Sequence, residues 1–143
     1  MAEKLFTLEE ANKMLPALRE VVSLLRERMG WLSSNKPAVP YLIEEYKIPR
    51  ETMVPVAYFQ SLLQVRNALG TVESLGCQLK DIERGLVDFP AKLSGREILL
   101  CWRLGEESIG YYHDLRSGYE GRRPLPSGGV DGPDGAVGGG ETH

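Results

Sequence analysis

The sequence predicts an α+β domain in which two long antiparallel helices, preceded by a short N-terminal helix, pack on a small three-stranded antiparallel meander. A disordered, glycine-rich C-terminal tail follows. Three observations predict this class. Apolar residues recur every three or four positions through Leu15–Leu32 and again through Phe59–Ile82, the spacing of a helix with one buried stripe. From Val87 the period falls to two, with glycine-bearing turns between short runs, as strands and hairpins require. The helical runs precede the strands instead of alternating with them, which separates α+β from a parallel α/β sheet.

The first helix is expected over Leu8–Met14. Thr7 stands at the N-cap to satisfy the first free N–H groups, Glu10 three residues later completes a capping box, and the acidic Glu9–Glu10 pair suits the positive end of the helix dipole. Pro16 then forces a break, because proline lacks the donor and clashes with the preceding turn. It suits the first turn of a second helix carrying Leu15, Leu18, Val22, Leu25, Met29 and Leu32 and ending near Ser33–Ser34. Four prolines between Asn35 and Pro55 exclude a long element there, leaving room for a turn or two at Tyr41–Tyr46.

A third helix is expected over Val56–Glu83, with Phe59, Leu62, Val65 or Arg66, Leu69, Val72, Leu75, Leu79 and Ile82 as its apolar stripe and Gly85 as its C-cap. Three strands are expected at Val87–Phe89, Glu97–Arg103 and Ile109–His113, joined by turns at Ser94–Gly95 and Leu104–Glu107. Alternation puts Ile98, Leu100 and Trp102 on a core face and Leu99, Cys101 and Arg103 on the other. With Phe89 beside Ile98 and Tyr112 beside Leu100, Asp88, Leu99 and His113 form a row on that second face. Asp88 and His113 would then be about 10 Å apart, two strand spacings. Seven glycines in the last sixteen residues leave little to bury. The expected organisation is one domain over residues 1–125 and a flexible tail over 126–143.

Charge and composition exclude several functions. Without the tail's Asp131, Asp134 and Glu141, the body holds 17 acidic and 17 basic residues. It lacks the surplus of cations that sequence-independent nucleic-acid binding uses, although Arg116, Arg122 and Arg123 form a local basic patch. No apolar run is long enough to span a bilayer, and the acidic N-terminus is unlike a secretory leader. The expected location is the cytoplasm. Cys77 and Cys101 have no CxxC spacing and read as buried, reduced thiols. Phosphate-loop, HExxH, GxSxG and EF-hand patterns are all missing.

The residues with chemistry gather in Gly85–Leu125. On the second face and its loops, Asp88, Cys101, Arg103, Glu106, His113 and Arg122 are the candidates for contact with a ligand or partner. His113 titrates near neutrality and suits a base or ligand role, and its bland reading is a hydrogen-bonded strand histidine. Cys101 with His113 has the composition of a nucleophile pair but no third orienting group. Cys77, Cys101 and His113 lack zinc-finger spacing. Asp88, Glu106 and His113 form an alternative set of metal ligands or acid–base groups. Spacing alone assigns no catalytic residue, no cofactor and no metal.

The blocks LFTLEEANKMLPALR, CQLKDIERGLVDFPA, LLCWRLGEESIGYYHD and GYEGRRPL, in that order, resemble the uncharacterised bacterial proteins grouped as domain of unknown function 2203. The resemblance covers roughly residues 4–33 and 76–125. The family pattern GLVDFP, LCWRxGE, an aromatic–histidine pair and GxxGRxP falls here on Gly85, Asp88, Phe89, Pro90, Cys101, Trp102, Gly105, Glu106, His113, Gly118, Gly121, Arg122 and Pro124. Tyr112 stands where tryptophan is usual before the histidine. The resemblance implies no activity. The functional expectation is a small cytosolic binding or interaction module, self-associating through its helices, with a small ligand or metal as the alternative.

Overall fold

The computed structural model describes residues 4–36 and 55–132. The expected turn at Tyr41–Tyr46, most of the proline-rich connector and the tail beyond residue 132 lie outside the described residues. Three helices, α1 (Leu8–Lys13), α2 (Leu15–Ser34) and α3 (Val56–Ser74), precede five strands. These are β1 (Gln78–Asp81), β2 (Leu86–Leu93), β3 (Arg96–Arg103), β4 (Tyr111–His113) and β5 (Arg123–Pro124), paired antiparallel in that order. The class is α+β, and the sheet has five strands where three were expected.

The helical reading holds for α1 and α2. Glu10 N–H donates to Thr7 Oγ1 at 3.1 Å and Thr7 N–H to Glu10 Oε1 at 2.9 Å, closing the capping box. The break falls at Met14, with Pro16 in the first turn of α2. Leu15, Leu18, Val22, Leu25 and Leu32 are buried as expected, whereas Met29 is exposed. Trp31 and Arg28 near the end of α2 meet Tyr58 and Ser61 near the start of α3, so α3 runs back along α2.

Two expectations about α3 are corrected. It ends at Ser74, nine residues early, because Gly76 takes a left-handed φ of +88° and its N–H bonds back to Glu73, a helix-ending geometry open to glycine. Gln78–Asp81 is therefore edge strand β1, and Gly85 closes the β1–β2 turn by bonding to Ile82 instead of capping a helix. The inward face of α3 is Ser61, Val65, Ala68 and Val72, while Phe59, Leu62 and Leu69 point outward.

Strand β2 runs through Pro90, where the sequence reading stopped it. Proline is tolerated because pairing with β1 reaches only as far as Asp88, so no neighbour on that side needs an N–H from position 90. The Pro90 carbonyl instead accepts Phe6 N–H at 2.7 Å. Phe6 is buried edge-on against Phe89. Ser94 and Gly95 both have positive φ, 54° and 79°, as the tight primed hairpin turn requires. This turn pairs Leu93 with Arg96, and hence Phe89 with Leu100 and Asp88 with Cys101. The expected β2–β3 register was off by two residues, which leaves every side chain on its predicted face. The β3–β4 register, Leu99 with His113 and Cys101 with Tyr111, is as expected.

Val87, Phe89, Ala91, Ile98, Leu100 and Trp102 pack under the helices in one core. The chain just after Leu125 joins this body instead of hanging free. Val130 is buried in the core, and Asp131 N–H donates to the Lys92 carbonyl. The Asp131 carboxylate accepts from Ser94 N–H at 2.8 Å and Gly95 N–H at 2.9 Å, capping the hairpin turn. Replacing Asp131 with alanine leaves two turn donors unpaired and is expected to cost about 1–3 kcal/mol. Urea denaturation checks this, and an unchanged midpoint would show the cap to be dispensable.

Candidate functional site

The second face of the sheet is buried too. Leu86, Asp88, Leu99, Cys101 and His113 are all at most 7 % exposed, under the segment that follows β4. That segment, Leu115–Tyr119, forms one wall of a cleft of about 310 Å³ whose lining includes Asp88, Cys101 and His113. Lys80, Asp81 and Arg84 border it from β1 and the β1–β2 turn.

The register explains why these three side chains meet. Asp88 and Cys101 are directly opposite on β2 and β3, and His113 on β4 faces Leu99, two residues along from Cys101. Their donor atoms all lie within 4.8 Å of one another. His113 Nε2 is 3.1 Å from Asp88 Oδ2, which corrects the expected 10 Å gap. Their backbones stay two strands apart with β3 between them, and the two side chains reach toward each other over β3 to close the gap.

The histidine is held in one orientation. Its Nδ1 is 2.8 Å from the Asp114 carbonyl, an oxygen that only accepts, so Nδ1 carries a proton and donates. Nε2 therefore turns toward Asp88 with its lone pair or a second proton. A lone pair facing a carboxylate at this distance is repulsive, so the pair shares one proton. Burial pushes the Asp88 carboxyl above its usual range, opposed by the neighbouring His113. Cys101 is pushed up to about 11 by burial, with the Asp88 charge adding to this and Arg122 opposing it. It is a thiol at neutral pH, which counts against a free nucleophile. Cys77 is buried elsewhere in the core and is likewise pushed up to about 11.

The other expected residues form a separate clamp. Arg122 donates to both Glu106 oxygens, at 2.5 and 3.2 Å, and its guanidinium lies 4.0 and 4.4 Å from the ring centres of Tyr111 and Tyr119. Glu106 is thus neither a solvated turn residue nor a partner of Asp88 and His113. Its second task is to accept Arg103 N–H at 2.9 Å. Its carbonyl accepts the Trp102 indole N–H at 2.9 Å, and the Glu107 carbonyl accepts from Arg19 of α2 at 2.6 Å. Arg103 reaches the Tyr119 hydroxyl at 3.2 Å. This clamp fixes the Gly118–Arg122 segment beside the cleft and brings positive charge near Cys101.

Of the six expected site residues, Asp88, Cys101 and His113 converge, while Arg103, Glu106 and Arg122 build the flank. Lys80 and Arg84 were missed because the sequence placed them in or just after a helix, and the signal that could have revealed them is Gly76. The wall residues Ser117 and Gly118 carried no signal. A larger groove of about 860 Å³ between α1 and Gly132 is lined by no histidine and no cysteine. Among the described residues no helix is long and apolar enough to cross a membrane.

Fold and site together define a small α+β protein with a buried carboxylate–thiol–imidazole cluster under a narrow cleft. The chain belongs to the family described as uncharacterized conserved protein (DUF2203), whose match spans residues 4–125. No curated protein and no solved structure matches it.

Replacing Glu106 with glutamine removes the charge of a bidentate, partly exposed pair. It is expected to lower stability by about 1–2 kcal/mol, read as a lower melting temperature.

Proposed function

We propose that this protein is a small binding module that holds one divalent transition-metal ion through Asp88, Cys101 and His113, with a coordination position open to the cleft. The observation that carries this reading is the convergence of three chemically different donors, all buried, within 4.8 Å. A carboxylate, a thiol and an imidazole are the ligand types of zinc, and three protein ligands with one open position is the arrangement of exchangeable zinc sites. The Asp114 carbonyl supports it, since a ligating histidine usually donates its other N–H to an oxygen acceptor. Cys101 takes the place in the ligand set expected for Glu106, whose carboxylate is engaged by Arg122.

Binding displaces the proton of the Cys101 thiol, which burial holds up to about 11. Metal and proton therefore compete, and affinity falls as pH falls. Around neutral pH the apparent zinc affinity is expected to rise at least about tenfold per pH unit. Competitive zinc titration of untagged protein at two pH values measures this. Asp88→Asn keeps a donor toward His113 Nε2 and should stay folded while losing stoichiometric zinc. Wild-type protein that takes up no zinc or cobalt would end the metal reading.

The proposal also includes self-association through the helices in a cytoplasmic setting. Val56, Phe59, Leu62, Leu63 and Leu69 leave an exposed apolar stripe on α3, with Leu24 and Met29 exposed on α2, a surface suited to a second copy. The two free thiols suit a reducing compartment. Light scattering should give a mass above the monomer, returned to the monomer by Phe59→Lys with Leu62→Lys. A monomeric wild-type protein at high concentration would refute it.

A further inference from the structure

We infer that the cleft over Asp88, Cys101 and His113 selects a small oxyanion, a carboxylate or a phosphate, through Lys80 and Arg116. The inference deepens the metal reading by naming the class of ligand for the open position, but its charge argument stands on the residues themselves.

The cleft's ionisable lining is Lys80, Asp81, Arg84, Asp88, Cys101, His113 and Arg116, with the Tyr119 ring beside them. Most of it cancels. Arg84 is paired with Asp81, Nε to Oδ2 at 3.1 Å, and the Arg84 backbone N–H also donates to that carboxylate. Asp88 is engaged by His113, Nε2 to Oδ2 at 3.1 Å. Lys80 lies near enough for its charge to act on Asp88 but makes no close pair with it. Lys80 and Arg116 are the two cations of the lining not held in a close pair. Neither side chain has a hydrogen-bond or ion-pair partner among the described residues.

Their positions suit capture of an anion. Lys80 stands on the edge strand and Arg116 on the covering segment, and both line the same cleft. Arg116 is held by its backbone, whose N–H donates to Asp114 Oδ1 at 2.9 Å. The Asp114 carboxylate also accepts Ser117 N–H at 2.7 Å. This ties the covering segment down on the same residue whose carbonyl orients His113. Leu86, Leu99 and Leu115 supply apolar wall, and 310 Å³ is at the small end of ligand sites. The space suits an anionic head with a short carbon body, with one oxygen toward the metal position and the remaining charge on the two cations.

Calorimetric titration of the full chain with inorganic phosphate and with acetate, at ionic strength fixed by chloride, tests the inference. Zinc-loaded and metal-free protein are both used. Saturable binding of either anion is expected, weakened roughly tenfold or more in a Lys80→Gln, Arg116→Gln double variant of unchanged melting temperature and zinc content. Tighter phosphate binding assigns the phosphate class, and tighter acetate binding the carboxylate class. No binding above the chloride control overturns the inference, as does equal binding by the double variant. Zinc content is measured separately, so a chain that binds no metal yet loses anion affinity in the double variant would refute the metal reading and uphold this one.

Discussion

The two-residue turn at Ser94–Gly95 sets the geometry on which the site depends. Both residues occupy the left-handed region, and a turn of this kind allows one closing pair, Leu93 with Arg96. Counting back from that pair puts Asp88 across from Cys101. The next ladder then brings His113 of β4 to Leu99. A slip of one residue in β2 would drive Asp88 into the core and turn Val87 and Phe89 toward the cleft. Asp131 secures this turn by binding both of its N–H groups. Energy spent on a distant cap therefore maintains the alignment of three side chains near the other end of the hairpin.

The cluster itself is a poor investment in stability. A buried carboxyl whose ionised form is disfavoured, a thiol and an imidazole occupy space that apolar groups would fill at lower cost. They are satisfied by one another and by the Asp114 carbonyl, and the flanking clamp of Glu106, Arg122 and two tyrosine rings holds the nearby backbone. Such arrangements concentrate at functional sites, where local rules are broken for chemistry.

Much of the fold could be read from periodicity. The stripe of α2 and the division of β3 into a Leu100/Trp102 face and a Cys101 face follow from spacings of 3.6 and 2. What stayed hidden was decided by backbone conformation or by distant partners. Leu75, Leu79 and Ile82 continue a helical spacing, yet Gly76 at φ +88° ends the helix and releases Lys80 to border the cleft. Pro90 reads as a strand end, but the short β1 leaves its missing donor uncalled for. Val130 and Asp131 sit in a glycine-rich stretch whose composition conceals two buried residues. In the site, the residue types were legible and their partners were not. Glu106 looked like a ligand beside Asp88, and only the fold shows it committed to Arg122.

The shortness of the outer strands has a further consequence. An exposed sheet edge offers unpaired N–H and C=O groups to any other extended chain, a route to open-ended aggregation. Here one edge is β1, four residues long, interrupted by a bulge between Leu79 and Asp81 and carrying two charged side chains. The other is β5, two residues ending in a proline. Neither presents a long, flat template, so growth of the sheet by strand addition is disfavoured at both ends. Lys80 and Asp81, which border the cleft, thereby also guard the β1 edge against polymerisation through the sheet.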